Sequence, residues 1–454
     1  MTKPDPGGAP SQAHTGLRRG TLGPVLLSAL GVSYVIAGDY AGWNLGLASG
    51  GWGGLLLAVI AAAGMFFALI LSIAELAAMM PGAGGGYDFA REAFGPALAL
   101  VAGLAILVEY GAAASVVAIF VGAYFEALSG VPALYTMPIL YCLVAAIHAA
   151  GVGEAMRVLL VLAGIAALGL LLYLAGVYAH FDPAKLADVP AISAAGASKW
   201  LPGGWRGVWI SFPFGTAFFL AVEGIPMAAE EARDPARTVP RAMMAAMAVL
   251  AFFAVSLVIF GPGAAGAAAL AGANDPLIVG LLAAGHDGGL LKAVNVCGLV
   301  GLGACFFAAM FAYSRQAFAL ARAGHLPALL ARTNARRSPV PALLAVGLGS
   351  YLLAVLASSA AVYVVMVTAA SLSYLIMLAA HLALRRRQPA RERPYRTPGG
   401  VITGGFAWVM SSLCMIGCFA ADWTYAGATT LAIGITGVAL VLRKNIGESR
   451  SKIQ

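Results

Sequence analysis

Charge is what this chain has least of. Only 10% of its 454 residues are Asp, Glu, Lys or Arg, 61% are hydrophobic, and mean hydropathy is +0.89. A soluble globular domain carries about 25% charged residues, and a disordered chain buries too little apolar surface to resemble this one, so both classes are excluded. Cysteine is scarce too. Cys142, Cys297, Cys305, Cys414 and Cys418 all fall inside apolar runs. There they read as small packing groups, not as a disulfide or metal framework. The histidines, His14, His148, His180, His286, His325 and His381, are too scattered for a metal centre. No nucleophile–base pair is evident, so neither an enzyme nor a cofactor is expected. Gly84, Gly85 and Gly86 follow no strand and precede no Lys-Ser/Thr, which makes a phosphate loop a poor reading and a re-entrant or gating loop a better one. Residues 1–20 are polar and rich in Gly and Pro, without the short apolar stretch of a cleaved signal peptide, so the first spanning helix is expected to direct insertion.

Long apolar runs are what fill the sequence. Twelve candidate spans lie near residues 22–47, 53–79, 97–127, 135–150, 154–178, 207–229, 241–262, 289–313, 341–358, 360–384, 402–421 and 425–442. At 1.5 Å of rise per residue, about 20 residues cross the hydrocarbon core. The pattern predicts an all-α membrane protein with twelve transmembrane helices. The net charge of +8 does not point to nucleic acid, because 23 of the 27 basic residues sit in the termini and the short loops of one side. That asymmetry predicts both termini and those loops in the cytoplasm, which an even number of spans satisfies.

Two spans are interrupted. Asp39 follows Gly38 in the middle of the first, and the sixth carries Glu223-Gly224-Ile225-Pro226. A charge at the centre of a spanning helix costs about 2.5–3.5 kcal/mol on insertion scales, so it marks a pathway or ligand site by default. These spans open two consecutive five-span units. Five is odd, so the second unit runs inverted, and paired interruptions in inverted halves point to a transporter binding site. The expected organisation is a cytoplasmic tail (1–20), a first five-helix repeat (21–180), an inverted second repeat (206–386), helices 11 and 12 (401–443) and a second tail (444–454).

Three further motifs carry a resemblance. Residues 74–96 read Ala-Glu-Leu-Ala-Ala-Met-Met-Pro-Gly-Ala-Gly-Gly-Gly-Tyr-Asp-Phe-Ala-Arg-Glu-Ala-Phe-Gly-Pro, and residues 229–241 read Ala-Glu-Glu-Ala-Arg-Asp-Pro-Ala-Arg-Thr-Val-Pro-Arg. The third runs from Ser314-Arg315 through Ala321-Arg322-Ala323-Gly324-His325-Leu326-Pro327. In this order, at these helix ends, they resemble the cytoplasmic signatures of the amino acid–polyamine–organocation (APC) transporters over nearly the whole chain. The resemblance implies the LeuT-type 5+5 inverted-repeat fold, with discontinuous helices 1 and 6 holding substrate against helices 3 and 8, and helices 11 and 12 appended. Within that superfamily, residues 38–44 (Gly-Asp-Tyr-Ala-Gly-Trp-Asn) and 223–231 (Glu-Gly-Ile-Pro-Met-Ala-Ala-Glu-Glu) look most like bacterial ethanolamine permeases.

The residues sharpen that expectation. Amino-acid carriers of the superfamily offer a small-residue stretch on helix 1 whose N–H groups receive the substrate carboxylate. The corresponding stretch here is Ala37-Gly38-Asp39, and an aspartate there repels a carboxylate and attracts an ammonium group. The plain alternative makes Asp39 a cap or a protonated acid. Glu223, expected to face Asp39, has two open roles: second anchor for the cation, or proton carrier. Glu109, near mid-depth of span 3, is a third candidate acid and second candidate proton carrier, with a buried polar partner elsewhere as its alternative. Tyr40, Trp43, Tyr110, Phe218 and Phe219 offer faces on which an ammonium gains about 0.5–2 kcal/mol, though helix packing explains any one of them. The candidate substrate site is thus Ala37, Gly38, Asp39, Tyr40, Glu109, Tyr110, Phe219, Glu223 and Gly224. Glu230, Glu231 and Arg241 are expected, by analogy with the family, to join cytoplasmic ion pairs.

Two absences bear on coupling. Some proton-coupled relatives carry a lysine in helix 5, where this chain aligns Ala166. Sodium-coupled members use hydroxyls in helix 8, and Gly301–Phe311 has no Ser or Thr. Uniport, exchange and carboxylate-based proton symport remain. The expected protein is a permease of the bacterial inner membrane that imports a small organic amine, ethanolamine first, by alternating access, with membrane lipid as its other partner. The rival readings are a permease for small neutral or basic amino acids and a transporter-like membrane sensor.

Overall fold

A computed structural model of the chain describes residues 23–80, 85–150 and 155–451. The tail 1–20 and part of the glycine loop, 81–84, lie outside the described residues. Every regular element among those described is helical. Proline starts several helices, at α1 (Pro24–Val35), α5 (Pro96–Ser129), α9 (Pro235–Ala265) and α11 (Pro276–Ala283). Its missing N–H costs nothing there, because the first four N–H groups of a helix have no internal acceptor. The remaining helices are α2 (Ala37–Tyr40), α3 (Leu47–Met79), α4 (Gly86–Phe94), α6 (Ala133–Ala150), α7 (Ala155–Tyr178), α8 (Gly204–Gly215), α10 (Ala267–Leu270), α12 (Gly289–Arg322), α13 (Val340–Leu356), α14 (Ser359–Arg387), α15 (Val401–Ala421) and α16 (Trp423–Ser451).

Ten helical stretches among the described residues are long and apolar enough to cross a membrane. Two shorter apolar helices, Pro24–Val35 and Val340–Leu356, stand where the first and ninth spans are expected. Burial sorts the bundle. The apolar window of α5 is 78% buried and that of α14 is 83%, whereas α6 and α16 reach only 22%. A helix apolar all round suits either position, so neighbours decide which one it takes.

The packing repeats between halves. α3 packs on α8 as α1 packs on α9; α7 packs on α12 as α14 packs on α5; α6 packs on α5 as α13 packs on α12. Exchanging the first five spans with the next five therefore maps these contacts onto one another. α5 against α12, and α3 against α9, lie on the exchange itself. α15 and α16 pack outside, against α3, α8, α14 and α5.

Both interrupted spans are broken, though not where the sequence places the breaks. The first helix stops at Val35, turns through α2, and stops again at Ala41 and Gly42. Gly38 and Asp39 thus lie inside a short helical turn between two breaks. Ala41 is extended and Gly42 has φ +107°, a backbone that glycine adopts at no steric cost. In the sixth span the α-helix ends at Gly215, eight residues before Glu223. A 3-10 turn, Thr216–Phe218, follows, then Ala221 at φ +77°, then a 3-10 helix, Val222–Glu231. Pro213 inside α8 and the Thr216 hydroxyl, which donates to Pro213 O at 2.5 Å, loosen the helix ahead of the acidic motif.

Candidate functional site

The two breaks meet. A Cβ on Gly38 would press into the Ala217 main-chain carbonyl, so glycine is what lets α2 approach the Thr216–Phe218 turn. The approach is held from both sides. Asn44 accepts from the Gly42 N–H at 3.1 Å and donates to Leu270 O at 2.6 Å and Ala273 O at 2.9 Å. Trp43 donates to Asp39 O at 3.2 Å and stacks on Phe218 at 5.8 Å between centroids.

Asp39 is fully buried, and neither carboxylate oxygen has a hydrogen-bond partner among the described residues. A buried carboxylate left this way costs several kcal/mol, so it needs a cation or a proton. Its neighbour Tyr40 is spent on structure. The Tyr40 hydroxyl donates to Ala166 O on α7 at 2.7 Å, and Tyr40 O accepts from the Tyr124 hydroxyl at 2.9 Å. Ala37 is buried beside α12, whose Cys305 thiol donates to Tyr34 O at 3.1 Å.

Glu223 is also buried, and Asp39 is not among the groups beside it. The acid beside it is Glu109 of α5, with Tyr374 and Tyr110 close by. Both Glu223 oxygens are buried and lack a partner of hydrogen-bond geometry among the described residues. Glu109 accepts from the Ser373 hydroxyl at 3.4 Å and the Tyr374 hydroxyl at 3.5 Å, both on α14. The correction follows from the early end of α8. After Gly215 a 3-10 turn, Thr216–Phe218, one positive-φ residue, Ala221, and the start of a second 3-10 helix at Val222 lead to Glu223, beside Glu109 of α5 and Tyr374 of α14. A Cβ on Gly224 would stand 2.8 Å from the Tyr110 hydroxyl oxygen, so glycine lets this turn meet α5. Phe219, fully buried, lies 5.8 Å from Phe66, which in turn meets Tyr374 edge-on at 5.7 Å.

The structure thus brings Glu109, Tyr110, Glu223 and Gly224 together and sets Ala37, Gly38, Asp39 and Tyr40 on a neighbouring turn. Tyr34, Phe66, Ser373 and Tyr374 belong to this region and were not read from the sequence. The hydroxyl-rich run Ser371-Leu372-Ser373-Tyr374 in span 10 was the available signal.

A second polar cluster closes one end of the bundle. Glu75 of α3 accepts from Arg385 Nε at 2.9 Å and Nη2 at 2.5 Å, from Arg393 Nε at 3.0 Å, and from the Thr397 N–H at 2.7 Å. His381 Nε2 lies 3.6 Å from the same carboxylate. Arg391 pairs with Glu92 at 2.7 Å. The side chains of Glu230 and Glu231 lie outside the described residues, and Arg241 joins no ion pair among them. No group of three or more His, Cys, Asp or Glu among the described residues is placed to hold a metal.

Comparison with known proteins places this geometry. The amino acid permease family profile matches residues 24–439. The chain is 23% identical to a branched-chain amino acid permease of Bacillus subtilis, over 85% of each chain. It is 26% identical to the methylthioribose transporter of the same organism, over 87% of this chain and 88% of that one. An uncharacterised transporter of Rhizobium meliloti is 32% identical over half of each chain. A match that spans both broken helices and the helices around them leaves one conclusion: the chain belongs to the amino acid permease family, within the APC superfamily of membrane transporters.

Proposed function

We propose that this permease imports a small organic amine lacking a carboxylate, ethanolamine first, by alternating access between two inverted five-helix repeats. The observation that carries the proposal is Asp39, a fully buried carboxylate with both oxygens unpartnered among the described residues, on the turn between the two breaks of the first span. A primary ammonium supplies the missing charge and up to three N–H donors. Within the Ala37-Gly38-Asp39 stretch the Asp39 N–H is already donated to Ile36 O, and just beyond it the Ala41 and Gly42 N–H groups are donated to Ala37 O and Asn44 Oδ1. That argues against an α-amino acid, although two relatives are named as branched-chain amino acid permeases and a third, in Pseudomonas aeruginosa, as a probable GABA permease.

Glu109 and Glu223 are the proposed proton site. Two carboxylates in one dry pocket hold a proton between them more readily than two charges. The proposed setting is the inner membrane with both termini cytoplasmic, an orientation that the arginine distribution supports. The proposed boundaries of the two repeats are 21–180 and 206–386.

The test is uptake of radiolabelled ethanolamine into proteoliposomes, wild type beside Asp39→Asn, with and without an inward proton gradient. Saturable uptake that Asp39→Asn abolishes supports the amine site, and acceleration by the gradient supports proton coupling. Absence of ethanolamine uptake by folded protein, with uptake of a neutral amino acid in its place, refutes the substrate assignment.

A further inference from the structure

We propose that a lateral groove between α3, α9 and α15 is a binding site for one anionic phospholipid. The groove has a volume of about 570 Å³, within the ~300–1,000 Å³ range of small-molecule sites. Its floor is made of small side chains, among them Ala63, Gly64, Ala248 and Ala251, and its walls include Phe67 and Phe406. Both rings are nearly half exposed, at 45% and 48%. The groove opens sideways, onto what is hydrocarbon for helices of this length and apolarity, so an acyl chain is the occupant its lining accepts.

One end of the groove is polar and cationic. Pro398 and Thr403 line that end, and Arg396 stands two residues before Pro398, exposed and in no ion pair among the described residues. On α9, Arg241 precedes Ala248 by seven residues, two turns along the same helix face. It too is exposed and unpaired among the described residues. The segment 385–396 carries six arginines. Glu75 takes up Arg385 and Arg393, Glu92 takes up Arg391, and Glu392 is the one acid of the segment itself. Positive charge remains in excess where the apolar groove ends. Apolar groove and cationic mouth together match an acyl chain joined to an anionic headgroup, and neither feature alone would. Basic pockets between helices at a membrane surface bind such headgroups. A lipid seated there would join α3 and α9, which pack on the broken spans, to the peripheral α15.

The experiment is thermal unfolding of the delipidated full chain in a neutral detergent. Dioleoyl phosphatidylglycerol, dioleoyl phosphatidylcholine and glycerophosphoglycerol are each titrated against the wild type, Arg241→Gln/Arg396→Gln, Ala251→Phe and the control Arg386→Gln. The expected result is a saturable rise in the midpoint with phosphatidylglycerol alone. The paired arginine variant and the groove-filling variant should each lose at least half of that rise, and Arg386→Gln should keep it. An equal response to phosphatidylcholine overturns the headgroup assignment. An equal response to glycerophosphoglycerol overturns the groove as the chain's seat. A full response in the paired variant or in Ala251→Phe overturns the site. If one of these two variants does not fold, the other decides.

Discussion

Replacing Gly38 by alanine adds one methyl group at the point where the two broken spans touch. The obstacle that methyl meets is the Ala217 main-chain carbonyl, not the tip of a flexible side chain. Ala217 is itself buried in the turn between α8 and Phe219, so it has little room to withdraw. Overpacking a tight core costs about 1–3 kcal/mol, and a main-chain obstacle places Gly38→Ala at about 3 kcal/mol. At 1.4 kcal/mol for each factor of ten, that lowers the population of the closely packed state roughly a hundredfold. Gly303→Ala is the matched control. Gly303 lies inside α12 with nothing within 4 Å of its would-be Cβ, and alanine there stabilises the helix by about 0.5–1 kcal/mol. The assay is thermal unfolding of both variants in one detergent, followed by substrate uptake in proteoliposomes. Gly38→Ala is expected to melt well below wild type and to lose transport, and Gly303→Ala to melt at or above wild type. If Gly38→Ala melted and transported as wild type does, the argument that this contact sets the helix approach would fail.

Three other substitutions test separate parts of the structure. Glu75→Gln strands Arg385 and Arg393, which are 20% and 7% exposed at the side chain; breaking such a pair costs about 3–5 kcal/mol, and Arg385's exposure places the loss at the lower end. Glu92→Gln, whose pair is 43% and 31% exposed, should change stability by less than about 1 kcal/mol, and denaturant unfolding separates the two. Asn44→Ala removes one acceptor and two donors from the first break, for about 1–3 kcal/mol of lost stability; an unchanged unfolding midpoint would show that the break holds without it. Glu109→Gln and Glu223→Gln should be non-additive in stability by about 0.5–3 kcal/mol, since each removes the carboxyl group that the other faces. Simple additivity in a double-mutant cycle would show that the two acids do not act as a pair.

Much of the fold was legible because membrane physics leaves few choices. Apolar runs of about 20 residues with so little charge become spanning helices, since backbone N–H and C=O groups have no other partner in hydrocarbon. Ten of the twelve expected spans coincide with helical stretches long and apolar enough to cross, and shorter helices, α1 and α13, stand at the other two. Legible too was which spans break, because Gly38-Asp39 and Glu223-Gly224-Ile225-Pro226 put a charge, a glycine or a proline where a helix should be plain.

Where the chain breaks, and which acid meets which, was decided by tertiary structure. Position 42 needs positive φ and Asn44 reaches Leu270 O and Ala273 O, more than 200 residues away; no local pattern reports such a contact. The same holds for Glu109 beside Glu223, for Tyr374 over Glu109, and for Glu75 gripped by Arg385 and Arg393, pairs separated by 265, 310 and 318 residues in the last three cases. Apolarity commits a segment to being a helix. It does not say which face looks inward, because a helix that is apolar all round buries whichever face its neighbours cover. That choice is made only when the helices pack.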